Sequence, residues 1–525
     1  MRKELKVNKG FHWFSSENIH FKGYFFYENT FYEKQNAIHK LLKFQSISEF
    51  KKVVHQFNGI FTIVITIDNT TFIACDATRI FPLFYGIDND ELLITDEIEN
   101  FNSKSICKES EIEMLSSLHC LGNKTLFDDV FITQSSELLT IEENQVVHSE
   151  FLFSYATYEY SNDSYHNLKQ KTINAFDNAF KRLSESIEGK KIALPLSAGY
   201  DSRLIATYLK KLEHKNVLCY TYGRASSFEI ENSKKVAEEL GFDWVFIPYT
   251  EELIKGFTSS NKFKEFVKFA GKYSSNPNFQ EYFAVKYLKQ QNLIDETTVF
   301  ISGYAGDLLG GSQFLKVIPK DLKSEKLIKT LYKEKFHFYN HSNKQKEALE
   351  NNISKILTNF NSRYSEKSPH AVFEDFDLKE KITKYIFNSS SFYTFFGYEV
   401  RFPFWDIELL EHFKHIPISY KLEKKLFDDV LVSDYFKPLN VYFDTDYKPD
   451  ARHLKENKLK TFIKNLVPKN VLLKRLEKSD WNNYQLITNE LKKELVKQNL
   501  PFEIPTKAYN QIVVQWYLYF CKNKI

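Results

Sequence analysis

The sequence predicts an α/β protein in which a strand-rich amino-terminal part precedes a parallel sheet with covering helices and a helical carboxyl-terminal part. Three observations carry this prediction. Residues 1 to about 155 read as short extended runs broken by polar turns, apolar residues recur at helical steps from Leu168 to Ile187, and strand and helix patterns then alternate as far as Pro248.

In the amino-terminal part, Gly59 to Asp68 is a continuous run of β-branched and aromatic residues. Asp68-Asn69 supplies a turn and TTFIACD resumes extended structure, which predicts a hairpin. PLFYGIDNDELLITDEIEN predicts a second hairpin, turning at Asp88 to Asp90, and VFITQSSELLTIEENQVVHSEFLF predicts further short strands. Leu168, Ile173, Phe176, Phe180, Leu183 and Ile187 form one apolar face of a helix ending near Gly189. KIALPL then reads as a strand, SAGYDS as a tight turn, and Leu204, Ile205, Tyr208, Leu209 and Leu212 as a helix face. NVLCYTY is a second strand, Ile230, Val236, Ala237 and Leu240 mark a helix stopping at Gly241, and DWVFIP is a third strand. TVFIS is a further strand that runs into the turn SGYAGDLLGG. The remainder, to Ile525, is mainly helical by pattern, and the charge runs KSEKLIKTLYKEK and Lys455 to Lys464 read as exposed helix.

The chain of 525 residues is long enough for more than one domain, and an apolar share of 43% with 49 Phe and 31 Tyr excludes disorder. A net charge of +3, with no basic stripe or lysine-rich tail, gives no support for a nucleic-acid partner. The opening MRKELKVNKGFHWF reaches no long apolar run before SSENIH, so neither a signal peptide nor a membrane span is read, and a cytoplasmic location is expected. Five cysteines (Cys75, Cys107, Cys120, Cys219 and Cys521), odd in number and widely spread, suit reduced packing thiols rather than disulfides or zinc.

Two segments carry chemistry. Ser197-Ala198-Gly199-Tyr200-Asp201-Ser202 lies between a buried strand and a helix, where small residues, hydroxyls and helix amides can cradle phosphate oxygens. Asp201 is unusual in such a place, because a carboxylate beside phosphate is repulsive unless magnesium sits between them. The alternative is a capping turn in which Asp201 and Ser202 satisfy free helix amides. The second segment, Ser302 to Gly311, also follows a strand. In an open parallel sheet both turns belong beyond the carboxyl ends of the strands, which predicts that Asp201 and Asp307 face one crevice and could share a magnesium ion on the phosphates of ATP.

LPLSAGYDSR, then Glu229 in EIENSKKVAEELG, then ISGYAGDLLGG, then GYEVRFPFWDIELLEHFKHIP (Gly397 to Pro417) resemble, in order and spacing, the synthetase domain of the asparagine synthetase family. Ala198 replaces one glycine of the family's usual Ser-Gly-Gly-x-Asp-Ser turn. FNGIFTIVITID, CDATRIFPLFYG, TDEIEN and GNKTLFDDV resemble the family's amino-terminal nucleophile domain. The resemblance implies an N-terminal-nucleophile-like αββα sandwich over residues 1–155, followed over 160–525 by a PP-loop ATP-pyrophosphatase domain with a helical carboxyl-terminal part. It implies ATP and pyrophosphate contacts at Leu196, Ser197, Ala198, Gly199, Asp201, Ser202, Tyr222, Ser302 and Gly303, and magnesium at Asp201 and Asp307.

The departures from the family pattern are equally informative. Glutamine-hydrolysing relatives carry a cysteine nucleophile after the initiator Met, where this chain has Arg2, and the first cysteine, Cys75, falls inside a predicted strand. Glutaminase chemistry is therefore expected to be absent. Tyr304 stands three residues before Asp307, the spacing at which β-lactam synthetase and its relatives carry a Tyr that helps deprotonate the attacking amine with a Glu partner; no Glu partner is identified, and Tyr304 otherwise simply packs over the site. The family's lysine for the developing charge maps onto Val467 to Lys478 out of register, at Leu476, flanked by Lys474 and Lys478, and Lys478 is the expected residue. Glu399, Arg401 and Asp406 are expected to form buried ion pairs that orient helices around the site.

The implied activity is ATP-dependent amide formation. A small-molecule or peptide carboxylate is activated as an acyl-adenylate, and an amine or free ammonia displaces AMP. The rival readings are an ATP-binding scaffold or sensor without ligase activity, which the intact acidic pair opposes, and an RNA-modifying pyrophosphatase, which lacks a basic surface and catalytic cysteines here.

Overall fold

The computed structural model describes residues 1–102, 105–197, 199–314, 322–446, 469–505 and 508–523. Ala198, Val467, Pro468 and the charge run from Lys455 to Lys464 lie outside the described residues.

The amino-terminal part stacks two sheets. One contains Arg2–Glu4, Glu91–Thr95, Phe84–Asp88 and Phe131–Ile132; the other runs Gln145–Phe151, Glu137–Glu142, Thr70–Cys75, Asn58–Ile67, Ile19–Tyr27 and Trp13–Ser15, with Thr30–Glu33 paired to Ile19–Tyr27. Both predicted hairpins form. Asp68-Asn69 and Asn89-Asp90 adopt the left-handed backbone that two-residue hairpin turns require, closing Ile67 on Thr70 and Asp88 on Glu91. Val64, Ile73 and Leu139 from one sheet meet Tyr85, Leu92 and Ile94 from the other to make the inner core.

The mostly-strand reading of this part needs a correction, because helices cover both outer faces. Lys34–Leu41 and Ile47–Val54 bury Ile38, Leu41, Phe50 and Val54 against Phe21, Phe25 and Phe61, and Lys108–Ser117 brings Met114 to the core on the other side. Ser46 caps the second helix by accepting from the Glu49 amide at 3.2 Å. The result is the αββα sandwich.

The helix Tyr165–Ser186 opens the next layer, with Leu168, Phe176, Phe180 and Leu183 buried as its spacing predicts. A five-stranded, all-parallel sheet follows in the order Asp243–Pro248, Val217–Gly223, Ile192–Pro195, Val299–Ile301, Glu399–Arg401. From Ile192–Pro195 the chain builds outward on one side and then returns to build on the other. The crevice between Ile192–Pro195 and Val299–Ile301 is therefore the place where connections diverge and ligands have room.

The mainly helical remainder contributes the fifth strand from within the late block. Glu399–Arg401 pairs with Val299–Ile301, and its charged residues do more than orient helices. Arg401 bonds Glu399 at 2.8 Å and lies 4.3 Å over the Tyr24 ring of the sandwich, while Asp406 binds Arg182 at 2.7 Å and accepts from Asn58 at 2.9 Å. These contacts fasten the sheet edge to the amino-terminal part, and one hydrophobic core runs through both, from Phe11 and Tyr24 to Phe176 and Phe404.

The four cysteines Cys75, Cys120, Cys219 and Cys521 are buried and free, and Cys107 is half-buried and free. Among the described residues, no helix is long and apolar enough to cross a membrane.

Candidate active site

The strand Ile192–Pro195 ends in the Ser197–Ser202 turn, which feeds the helix Tyr200–Lys211. The turn holds itself together: Ser202 Oγ accepts from the Ser197 amide at 3.1 Å, and Ser197 Oγ accepts from the Gly199 amide at 3.1 Å. Asp201 does not cap its own helix. Its Oδ2 accepts from the Asp307 amide at 2.9 Å, across the crevice, so the capping alternative is set aside for this residue.

The second turn follows Val299–Ile301 and enters the short helix Gly306–Leu309 through Ala305 in the left-handed region. Gly306 is required by close approach, because a Cβ there would stand 2.6 Å from Asp201 Cγ. Burial followed by the nearby Asp307 charge pushes the Asp201 acid up to about 8. Asp201 Oδ1 is buried with no hydrogen-bond partner.

A cavity of about 490 Å³ opens over these turns. Leu196, Ser197, Gly199, Asp201, Ser202, Tyr222, Ser302, Gly303, Tyr304 and Asp307 all line it, as does Glu229, whose carboxyl is raised by burial. Ala198 lies outside the described residues. Lys478 is exposed on the helix Lys469–Lys478 and is not among the described residues that line the cavity. Lys424 lines it instead. Lys424 bonds Asp428 at 3.2 Å, lies 5.3 Å from the Tyr200 ring, and opposes the rise of the Asp201 acid. A turn in which Glu423 and Lys424 both have positive φ presents it.

Glu281 also went unrecognised. It precedes the helix Tyr282–Gln290, is 4% exposed, and accepts from the Tyr220 and Tyr393 hydroxyls, the latter at 2.7 Å. Burial pushes its acid up to about 7. It lines the same cavity as Tyr304, whose phenol is raised well above the usual range by burial and then by the Glu281 charge. A signal existed in the sequence, since Glu281 is the only carboxylate in the aromatic stretch from Tyr273 to Leu288.

The donor set fits a hard divalent cation. Two neighbouring aspartates on joined turns, one with an unpartnered carboxylate oxygen, suit magnesium that takes its other ligands from phosphate and water. Among the described residues no group of three or more His, Cys, Asp and Glu side chains offers a complete protein cage.

Comparison with known proteins gives a match to the family described as asparagine synthase over residues 174–494. No curated protein matches. Among solved structures, the chain is similar to an NH3-dependent NAD synthetase from Campylobacter jejuni at 19% identity, covering 39% of this chain and 91% of that one with a TM-score of 0.20. It is similar to an NMN synthetase from Francisella tularensis at 14% identity, covering 40% and 78% with a TM-score of 0.18. A glutamine phosphoribosylpyrophosphate amidotransferase from B. subtilis is 11% identical, with coverage of 58% and 60% and a TM-score of 0.18. At these scores the structural likenesses carry no argument.

Proposed function

The chain belongs to the asparagine synthase family, and from that premise we propose that it is an ATP-dependent carbon–nitrogen ligase that activates a carboxylate as an acyl-adenylate. The observation that carries the reading is the meeting of two turns over the carboxyl ends of two adjacent parallel strands, where the Asp307 amide donates to Asp201 Oδ2 at 2.9 Å. The substrate carboxylate attacks the α-phosphorus of ATP, the bond to the bridging oxygen breaks, and pyrophosphate leaves. An amine or ammonia then attacks the acyl carbon, AMP departs with the shared oxygen, and the amine gives up a proton.

Ser197, Gly199, Ser202, Ser302 and Gly303 are positioned to receive phosphate oxygens, with Leu196 and Tyr222 beside them. Asp201 and Asp307 would hold magnesium, which when bound neutralises phosphate charge. Lys424 is the cation within the cavity for charge developing on the phosphates. Glu281, near neutrality at about 7, is suited to take the amine proton with Tyr304, and it supplies the carboxylate for which the sequence offered no candidate.

In this reading, residues 1–155 form a degenerate glutaminase-like domain and 160–525 the ATP-pyrophosphatase domain. Arg2 is engaged with Asp88 and Glu4, and burial pushes the Cys75 thiol up to about 12, so neither offers a thiolate. Lys424 also weakens the scaffold alternative, since mere nucleotide binding does not call for a cation aimed at developing charge.

The test is exchange of labelled pyrophosphate into ATP, with magnesium and pools of candidate acids, in the native chain and in Asp201→Asn and Asp307→Asn. Exchange that requires one acid and vanishes in both variants supports adenylation and names the acid class. No exchange with any pool, together with equal ATP binding by all three proteins, would overturn it.

A further inference from the structure

A second cavity, of about 470 Å³, lies where the amino-terminal sandwich meets the Asn261–Gly271 helix. None of its lining residues belongs to the cavity over Asp201. Its volume is that of a site for a small organic ligand. Trp13, Phe81, Phe84 and Phe269 give it apolar, aromatic walls.

Two ammonium groups enter it from opposite halves of the chain. Lys22, on Ile19–Tyr27, is 4% exposed, donates to the Val7 carbonyl, and lies 5.6 Å from the Trp13 ring and 5.2 Å from the Phe81 ring. Lys272, just past the Asn261–Gly271 helix, donates to the Ile80 carbonyl at 2.7 Å. Each ammonium has three donors and spends one of them on a carbonyl. Among the described residues neither forms an ion pair with a carboxylate; burial lowers both, and Lys272 is lowered further by Arg79 and Lys22.

Asp96 favours the Lys22 charge without forming an ion pair with it, and the other acids of the cavity act on neither ammonium. Asp96 already accepts from the Lys6 amide at 3.0 Å, the Val7 amide at 2.8 Å and the Trp13 indole at 2.8 Å. Glu97, Glu99 and Glu265 are exposed, and Glu99 accepts from the Tyr273 hydroxyl at 3.1 Å. Lys22 is buried and Lys272 half-buried, and keeping both charged without a carboxylate partner is costly, a cost that an anion joining them would offset.

We propose that this cavity binds a small organic carboxylate with an aromatic body, the carboxylate received by Lys22 and Lys272 and the ring by Trp13, Phe81 and Phe269. Such a ligand touches both halves of the chain and ties the sandwich to the helical layer. The proposal does not depend on the ligase reading.

The test is titration calorimetry of the full chain with phenylacetate and indole-3-acetate, each against its neutral amide. The acids should bind, and the amides should bind about tenfold or more weakly, the difference expected for losing a charge-assisted contact. Lys22→Met and Lys272→Met should each weaken acid binding by about tenfold or more, with a cooperative thermal transition showing that the variants fold. If the native chain binds neither acid, or binds acids and amides alike, the proposal is overturned; equal acid binding by both folded variants overturns it as well. Should a variant fail to fold, the acid-against-amide comparison on the native chain decides.

Discussion

The Asp307 amide donates to Asp201 Oδ2 at 2.9 Å across 106 residues of sequence, and this one bond ties together the two turns on which the proposed chemistry depends. What lets it form is the missing side chain of Gly306, where a Cβ would stand 2.6 Å from Asp201 Cγ.

Gly306→Ala should therefore separate the acidic pair. A displacement on the order of 1 Å at a reacting centre costs about 100-fold in rate, so pyrophosphate exchange should fall by about that factor. The same variant should keep its circular dichroism spectrum, which separates misplacement from unfolding.

Lys424 and Lys478 make opposite predictions. Lys424→Met removes the cation inside the cavity and should lower exchange by about 100-fold or more, the usual cost of losing a group aimed at developing charge. Lys478→Met, on an exposed helix outside the cavity, should leave exchange close to native. The reverse outcome would return the role to Lys478.

Glu281 links activity to pH. Its acid is raised from 4.5 to about 7 by burial, so the folded state holds a proton that the unfolded state releases. Its contribution to stability is present below pH 4.5 and is lost as pH rises to about 7. Compared with Glu281→Gln, the native chain should lose on the order of 3 kcal/mol across that window, measured by urea unfolding at several pH values. Amide formation should rise through pH 7 in the native chain, and that limb should be absent in the Gln variant.

Arg203 lies on the helix that begins in the Ser197–Ser202 turn, is 1% exposed, and binds Asp446 at 2.7 Å and 3.0 Å. Arg203→Met leaves the Asp446 carboxylate buried beside Phe443 without its cation, and should destabilise the fold by about 3 kcal/mol. Adding Asp446→Leu should restore much of that loss, since removing both charges leaves neither unpaired. Thermal melts of the three proteins check it.

Glutamine should yield no glutamate with the native chain, and Arg2→Cys alone should not create that activity. Arg2 sits in a short strand engaged with Asp88 and Glu4, and a thiol alone supplies neither a general base nor an oxyanion site. Glutamate release measured by an enzyme-coupled assay settles the point.

Much of the fold was legible because its signals are local. The Asp68-Asn69 and Asn89-Asp90 turns, the Leu168 to Ile187 face and the stop at Gly241 depend on backbone preference and on neighbours within a few residues. The helices Lys34–Leu41 and Ile47–Val54 were harder to see, since two turns of helix bury few residues and imitate the surrounding strands. Even there, Ser46 with Glu49 three residues on was a readable cap.

The sequence by itself determined the family, the α/β class and the two turns that follow the central strands, because strand, small-residue turn and helix lie contiguous in the chain. Only the tertiary structure decided that Lys424 rather than Lys478 enters the cavity, that Glu281 stands with Tyr304, and that Glu399–Arg401 is a sheet strand. Those residues come from segments whose own periodicity records what they bury and not what they face. Their meeting depends on how the helical layer packs across the open end of the sheet, which is a property of the whole core and of no single stretch of it.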